Sequence, residues 1–138
     1  MLEFNLFLID YWYFSVPLFF FIFLFAYSEM NKGGKKIEPT ELTRLVNKES
    51  AILIDLRKKE DYENGHIMTA MNYPHQEFDN QMHELERFKD RPIILVCDMG
   101  RNSANIGEKL KKAEFEKTYR LNGGMMTWTQ ENLPVVQK

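Results

Sequence analysis

An uncharged, phenylalanine-rich segment near the amino terminus limits what this chain can fold into. From residue 11 to residue 27 the sequence YWYFSVPLFFFIFLFAY has no charge, and Ser15 and Pro17 are its only non-hydrophobic residues. A helix that is apolar on every side needs a larger protein than 138 residues to cover it. Together with the apolar residues from Phe4 onward, the segment is long enough to span a hydrocarbon layer of about 30 Å. We predict a transmembrane helix over about residues 8–27, within an anchor of residues 1–30.

The charges on the two sides of this segment argue against a cleaved signal peptide and predict its orientation. A signal peptide carries basic residues before its apolar run and a small-residue cleavage site after it, whereas Glu3 precedes this run and neither feature is present. Basic residues follow the segment instead, at Lys32, Lys35 and Lys36. Because positive residues stay on the cytoplasmic side, we expect a single-pass protein with its amino terminus outside and the rest of the chain in the cytoplasm.

The remainder of the chain alternates strand and helix signals after a short glycine-containing linker, predicted over residues 31–35. Apolar runs of strand length alternate with segments of helical periodicity over residues 36–138. This alternation predicts an α/β domain with a small parallel sheet and helices on both faces. The predicted strands cover 51–55, 71–73, 92–96 and 118–121; the predicted helices begin at Pro39, near 61 and near 78, and cover 103–113 and 125–131.

The only cysteine, Cys97, follows the most apolar predicted strand and comes about six residues before a predicted helix. In open α/β sheets, ligands bind outside the carboxyl ends of the strands. The backbone N–H groups of residues 98–103 and the positive end of the helix favour a thiolate over a thiol at this position. The loop therefore suits a sulfur nucleophile or a bound persulfide, although a lone cysteine at a strand end can also be an inert core residue.

Composition excludes several other classes of function. A formal net charge of −2 gives no basic field for nucleic acid. One cysteine allows neither an internal disulfide nor a cysteine-based metal cage, and the histidines at 75 and 83 show no convergence with other ligand types. We expect no metal and no cofactor.

Three stretches in this order and at this spacing resemble the rhodanese-like family. DLRKKEDYENGHI (55–67) resembles the family's D-x-R…G-H-I segment, CDMGRNS (97–103) its active loop C-x-x-G-x-R-S, and LNGGMMTWTQENLPV (121–135) its closing L-x-G-G…W…P-V signature. The resemblance covers nearly all of the chain beyond the anchor. The type it suggests is a single-domain bacterial protein anchored in the inner, cytoplasmic membrane.

The resemblance implies sulfur transfer through a cysteine persulfide. Cys97 would be the nucleophile, and a loop would hold the sulfur; the donor would be thiosulfate or a protein or small-molecule persulfide, and the acceptor a thiol. The implied loop residues are Asp98, Met99, Gly100, Arg101, Asn102 and Ser103. Other family positions have structural roles by the same resemblance: Asp55 and Arg57 as a pair that organises loops, and His66, Gly123, Gly124 and Trp128. With no second cysteine, the persulfide would have to leave to an external thiol.

The chain departs from the family pattern at three positions. The family arginine usually lies five residues after the cysteine, where this chain has Asn102, and the arginine is one position earlier at Arg101. Asp98 adds a negative charge beside the nucleophile, which would repel thiosulfate. Thr69 stands where the family usually has glycine. The first two departures favour a donor with less charge, or a partner protein.

These departures leave a second function open: a rhodanese-like binding module on a membrane anchor, with little or no catalysis and with a membrane-protein partner. Phosphatase or arsenate reductase chemistry is a third and weaker alternative, because relatives with those activities use a longer loop. Replacement of Cys97 by serine would abolish sulfur transfer and spare a binding module.

Overall fold

The computed structural model describes residues 2–30 and 32–137 of the chain, which divides into two compact units, Met1–Asn31 and Lys32–Lys138. The first unit contains helix α1 (Leu2–Asp10) and helix α2 (Trp12–Met30). Residues Trp12–Glu29 of α2 are apolar enough and long enough to cross a membrane, and none of that stretch is buried. A signal sequence near the amino terminus has the same length and composition. The helix by itself therefore indicates only a candidate membrane span. The break at Tyr11 places the candidate span a few residues later than the predicted 8–27.

The second unit alternates strands and helices, as its sequence predicts. The strands are β1 (Lys35–Ile37), β2 (Ile52–Asp55), β3 (Met71–Asn72), β4 (Ile93–Val96) and β5 (Thr118–Leu121). The helices are α3 (Pro39–Lys48), α4 (Lys59–Asn64), α5 (Phe78–Gln81), a 3₁₀ helix (Met82–Phe88), α6 (Arg101–Lys112) and α7 (Gly124–Gln130).

The five strands form one parallel sheet in the order β1-β5-β4-β2-β3, which confirms the predicted fold class. Strand β4 is central, and all four of its residues are buried because side chains cover it on both faces. One face packs against α3 and α7 through residues such as Leu45 and Trp128. The other packs against α5, the 3₁₀ helix and α6 through residues such as Phe78 and Leu110. The carboxyl ends of β2 and β4 therefore meet at one edge of the sheet.

Strand β1 lies partly inside the predicted linker, and the two linker glycines are buried rather than free. Gly33 donates its N–H to Glu108 Oε1 at 2.6 Å, and the carbonyl oxygen of Gly34 accepts from Arg120 Nε at 3.2 Å. A Cβ on Gly33 would lie 2.6 Å from Ala104 Cα, so only glycine allows this approach to α6. The sequence suggests flexibility here because N-K-G-G has the composition of a linker, whereas the glycines permit close packing.

Helix α6 begins at Arg101, two residues before the predicted start at 103. Gly100, with a φ of 91°, takes the left-handed conformation that turns the chain from the loop directly into the helix. The predicted helix near 78–85 is shorter than its periodicity suggests, since it tightens into a 3₁₀ helix from Met82 onward.

Candidate active site

Cys97 lies immediately beyond the carboxyl end of β4, at the start of a four-residue loop (97–100, here the reactive loop) that leads into α6. Its side chain is 2% exposed and packs against Ile106 and other residues of the α6 face. The strand fixes the Cα position, and the immediate start of α6 keeps the loop short. The sulfur atom is thus held at the edge of the sheet where parallel α/β folds bind ligands.

The reactive loop curls around the sulfur atom. The backbone N–H of Gly100 donates to Cys97 Sγ at 2.9 Å. The Ser103 hydroxyl donates to the Gly100 carbonyl oxygen at 2.9 Å and so holds the turn from below. A hydrogen-bond donor aimed at a sulfur atom favours negative charge on that atom, as in a thiolate.

Helix α7 supports the reactive loop from the opposite side. The N–H of Met125 donates to the Cys97 carbonyl oxygen at 2.7 Å, and that of Met126 to the Asp98 carbonyl oxygen at 3.0 Å. Gly124 has a φ of 59°, and a Cβ there would lie 2.8 Å from the Asp98 carbonyl oxygen. The second glycine of the NGG sequence is therefore what lets α7 approach the loop this closely.

A cleft of about 470 Å³ opens beside the reactive loop. Asp98 and the half-exposed Met99 line it from the loop, and Met126 lines it from α7. Arg57, Met125, Thr129 and Gln130 complete the wall. The cleft thus combines one exposed carboxylate with flexible thioether side chains.

The two residues that depart from the family order point in different directions. Arg101 is exposed and makes no hydrogen bond or ion pair with any other described residue. Asn102 is half-buried, and its Nδ2 lies 3.5 Å from Nδ1 of His75. The position of the family arginine is thus occupied by a neutral amide that faces a histidine.

The remaining family positions make structural contacts. The Arg57 guanidinium donates to both carboxylate oxygens of the buried Asp55, and its Nη2 also donates to the Gly65 carbonyl oxygen at 2.7 Å. His66 is buried, its Nδ1 lies 2.8 Å from the Tyr62 carbonyl oxygen, and its ring stacks on that of Tyr62. Trp128 is 5% exposed and donates to the Pro134 carbonyl oxygen.

Three neighbours of the site are not predicted by the sequence patterns. Met126 is the second residue after the glycine pair, and His75 faces the residue that replaces the family arginine. Arg120 is 5% exposed inside β5. The short predicted strand TYRL contains this one charged residue. The alternation of side chains along a strand could have placed Arg120 on the face of the sheet that α6 covers. The structure contains no group of three His, Cys, Asp or Glu side chains suited to a metal ion within the residues it describes.

Fold and site together define an α/β domain with a cysteine cradled between a central strand and a helix. A family model for the rhodanese-like domain matches residues 38–131, more than half of the chain, and the chain belongs to this family. It is 34% identical over 123 residues to YibN, an uncharacterized protein of Escherichia coli, covering 88% of this chain and 86% of that protein. It is 28% identical over 98 residues to the thiosulfate sulfurtransferase GlpE of Shewanella oneidensis, covering 71% of this chain and 95% of that protein.

Solved structures agree with this assignment. A rhodanese-related protein from Thermoplasma volcanium superposes with a TM-score of 0.68 at 24% identity, covering 75% of this chain and 99% of that chain. At 24% identity, this match shows a similarity of fold alone.

Proposed function

We propose that the chain is a sulfurtransferase or persulfide carrier in which Cys97 carries the sulfane sulfur, tethered to a membrane by its amino-terminal helix. The observation that supports this most directly is the 2.9 Å hydrogen bond from the Gly100 N–H to Cys97 Sγ. Hydrogen bonds from Ser103 of α6 and from Met125 and Met126 of α7 to the backbone of the same loop add support. The similarity to GlpE proteins, which are named thiosulfate sulfurtransferases, supports the same chemistry.

The proposed cycle has two displacement steps. The Cys97 thiolate attacks the outer sulfur of the donor, the donor's S–S bond breaks, and its remaining part leaves with the electron pair as sulfite or as a thiolate. A thiolate acceptor then attacks the outer sulfur of the Cys97 persulfide and releases the Cys97 thiolate. Neither step needs an external oxidant or reductant. Because the chain has a single cysteine, the acceptor is a thiol on another molecule.

The charges around the cleft favour a persulfide donor over thiosulfate. The Asp98 carboxylate is exposed at the mouth, the Arg57 guanidinium is already paired with Asp55, and Arg101 points into solvent. A dianion would therefore meet a negative charge with no compensating cation in the loop. The thioethers of Met99 and Met126 instead offer an apolar wall for the organic part of a persulfide.

This preference is tested by the transfer of sulfur to cyanide, measured as thiocyanate, with thiosulfate and an alkyl persulfide as alternative donors. We expect faster transfer from the persulfide and no transfer by Cys97→Ser. Replacement of Asp98 by serine should raise the rate with thiosulfate, a dianion, at least several-fold and raise the rate with the less charged alkyl persulfide by a smaller factor. Equal effects of Asp98→Ser on both donors would contradict the electrostatic explanation.

A second candidate function is a binding module, and the exposed Asp98 beside a loop without an inward-facing arginine favours it. In that case folded protein transfers no sulfur from either donor. The exchange variant Arg101→Asn/Asn102→Arg tests whether the position of the arginine limits a working enzyme. It then gains activity with thiosulfate, whereas no gain assigns the limit to Asp98 or to the choice of donor.

The membrane part of the proposal rests on helix α2 and on the basic residues that follow it. We propose a single span, with the rhodanese-like domain on the cytoplasmic side of a bacterial inner membrane. Protease added to sealed spheroplasts should leave the domain intact, and protease added to inverted membrane vesicles should release it. Release from sealed spheroplasts would refute the orientation, and recovery of the protein in the soluble fraction would refute the anchor.

A further inference from the structure

A buried cation shares the face of the sheet on which Cys97 lies. Arg120 of β5 is opposite Leu95 of β4 in the parallel register. Side chains two residues apart on a strand point to the same face, so Leu95 and Cys97 lie on one face and Arg120 lies there with them. This is the face covered by α6, and Arg120 is only 5% exposed beneath it.

Arg120 has no salt-bridge partner within 4 Å in residues 2–30 and 32–137. Its Nε donates to the Gly34 carbonyl oxygen at 3.2 Å, which is a neutral acceptor. Burial lowers the pKa of Arg120, and charge interactions with Cys97 and then with Glu108 raise it. An enclosed guanidinium without a contacting counter-ion is costly, and an anionic sulfur nearby offsets part of that cost.

We propose that Arg120 stabilises the anionic forms of Cys97, the thiolate and the persulfide, from beneath the reactive loop. It supplies from β5 the positive charge that neither Arg101 nor Asn102 directs at the sulfur atom. Arg120 is a positioning residue, since it acts on the charge of Cys97 and makes no contact with the donor. Its use in sulfur transfer rests on the proposed function, whereas its effect on the charge of Cys97 does not.

Several other charged or titratable groups surround Cys97, and they set the signs of the expected effects. Asp98 is an anion in the loop beside the sulfur, and Glu108 on α6 interacts with the charge of Arg120. The Arg57 charge is balanced by Asp55 beyond β2, and Arg101 is solvated. His75 approaches from the segment after β3 through Asn102. Glu108 is therefore a half-buried anion that offsets part of the positive charge of the buried Arg120.

The test is the pH dependence of the iodoacetamide alkylation rate, measured on the full chain in detergent from about pH 5 to about pH 10. Because Cys97 is the only thiol, the reaction is assigned without ambiguity. Limited access of the reagent to the buried sulfur lowers the alkylation rate by the same factor at every pH. The charges around the sulfur instead change the pH at which the rate is half of its maximum. The variants are Arg120→Gln, the charge-retaining Arg120→Lys, and Glu108→Gln, which keeps an oxygen acceptor for the Gly33 N–H.

We expect Arg120→Gln to move the midpoint up, Arg120→Lys to move it less, and Glu108→Gln to move it down. A purely structural role of the two side chains would move the Arg120→Gln and Glu108→Gln midpoints in the same direction or not at all, and either result overturns the proposal. If Arg120→Gln does not fold, Arg120→Met takes its place, and an unchanged midpoint in that variant overturns the proposal. Opposite shifts without any sulfur loading would refute the proposed function and uphold the role of Arg120.

Discussion

Gly107→Ala should destabilise the domain although alanine is the better helix former. Gly107 lies within α6, and a Cβ added there would meet the backbone of Gly33, with the carbonyl carbon at 2.5 Å, Cα at 2.7 Å and the oxygen closer still. Helix propensity alone would make the substitution favourable by about 1 kcal/mol. The clash instead displaces the segment that contains Gly33 and Gly34. This displacement breaks the hydrogen bond from the Gly33 N–H to Glu108 and the one from Arg120 to the Gly34 carbonyl oxygen.

The two hydrogen bonds involve charged groups and are worth about 1.5–3 kcal/mol each. Subtracting the propensity gain leaves a loss of about 2–5 kcal/mol in the free energy of unfolding. With a urea dependence of about 1.5 kcal/mol/M, the midpoint of unfolding falls by about 1–3 M. The assay is urea denaturation of the full chain in detergent, followed by far-UV circular dichroism. Asn105→Ala, at an exposed position of the same helix, is the matched control and should be slightly stabilising. A Gly107→Ala variant as stable as this control would refute the packing of the glycine segment on α6.

Three further predictions address backbone conformation and pH. Thr69 has a φ of 74°, which is unfavourable for a β-branched residue, so Thr69→Gly should raise the urea midpoint by the equivalent of up to about 1 kcal/mol; a lower midpoint would contradict the strain. Gly124→Ala should reduce sulfur loading of Cys97 more than tenfold in a folded protein, because its Cβ collides with the reactive loop, and unchanged loading would exclude that contact. Burial raises the pKa of Tyr62 and, together with the hydrogen bond to Glu84, that of Tyr73. The neutral phenols thus stabilise the fold fully below about pH 10 and less as the pH rises further. The urea midpoint should therefore fall above about pH 10, and it should fall less in Tyr73→Phe. A urea midpoint that does not change with pH in this range would contradict the prediction.

The sequence predicts the sheet because its central strands are continuous apolar runs. Such runs are recognised as buried strands from their own residues, without knowledge of the segments that pair with them. PIILV and AILID become β4 and β2, and the GG pair marks the turn before α7. Strand β1 escapes prediction because KKI is short and charged, and its place depends on pairing with β5 about 80 residues later. Local pattern carries no information about such a partner.

The candidate site divides in the same way. Cys97, Gly100 and Ser103 belong to a local motif, and hydrogen bonds join them where the reactive loop meets the first turn of α6. The buried setting of Arg120 depends on the register between β5 and β4 and on the glycine segment that accepts its hydrogen bond. The encounter of Asn102 with His75 likewise joins residues 27 positions apart. Both arise from tertiary packing that no motif encodes.

Intact-protein mass spectrometry of the full chain tests the central claim most directly. The protein is incubated with an alkyl persulfide, and separately with thiosulfate, beside Cys97→Ser as control. We predict a gain of one sulfur atom that is missing in the control, that is reversed by a thiol acceptor, and that forms more readily with the persulfide. A folded protein that takes up no sulfur from either donor, or a Cys97→Ser variant that takes up as much, would contradict it.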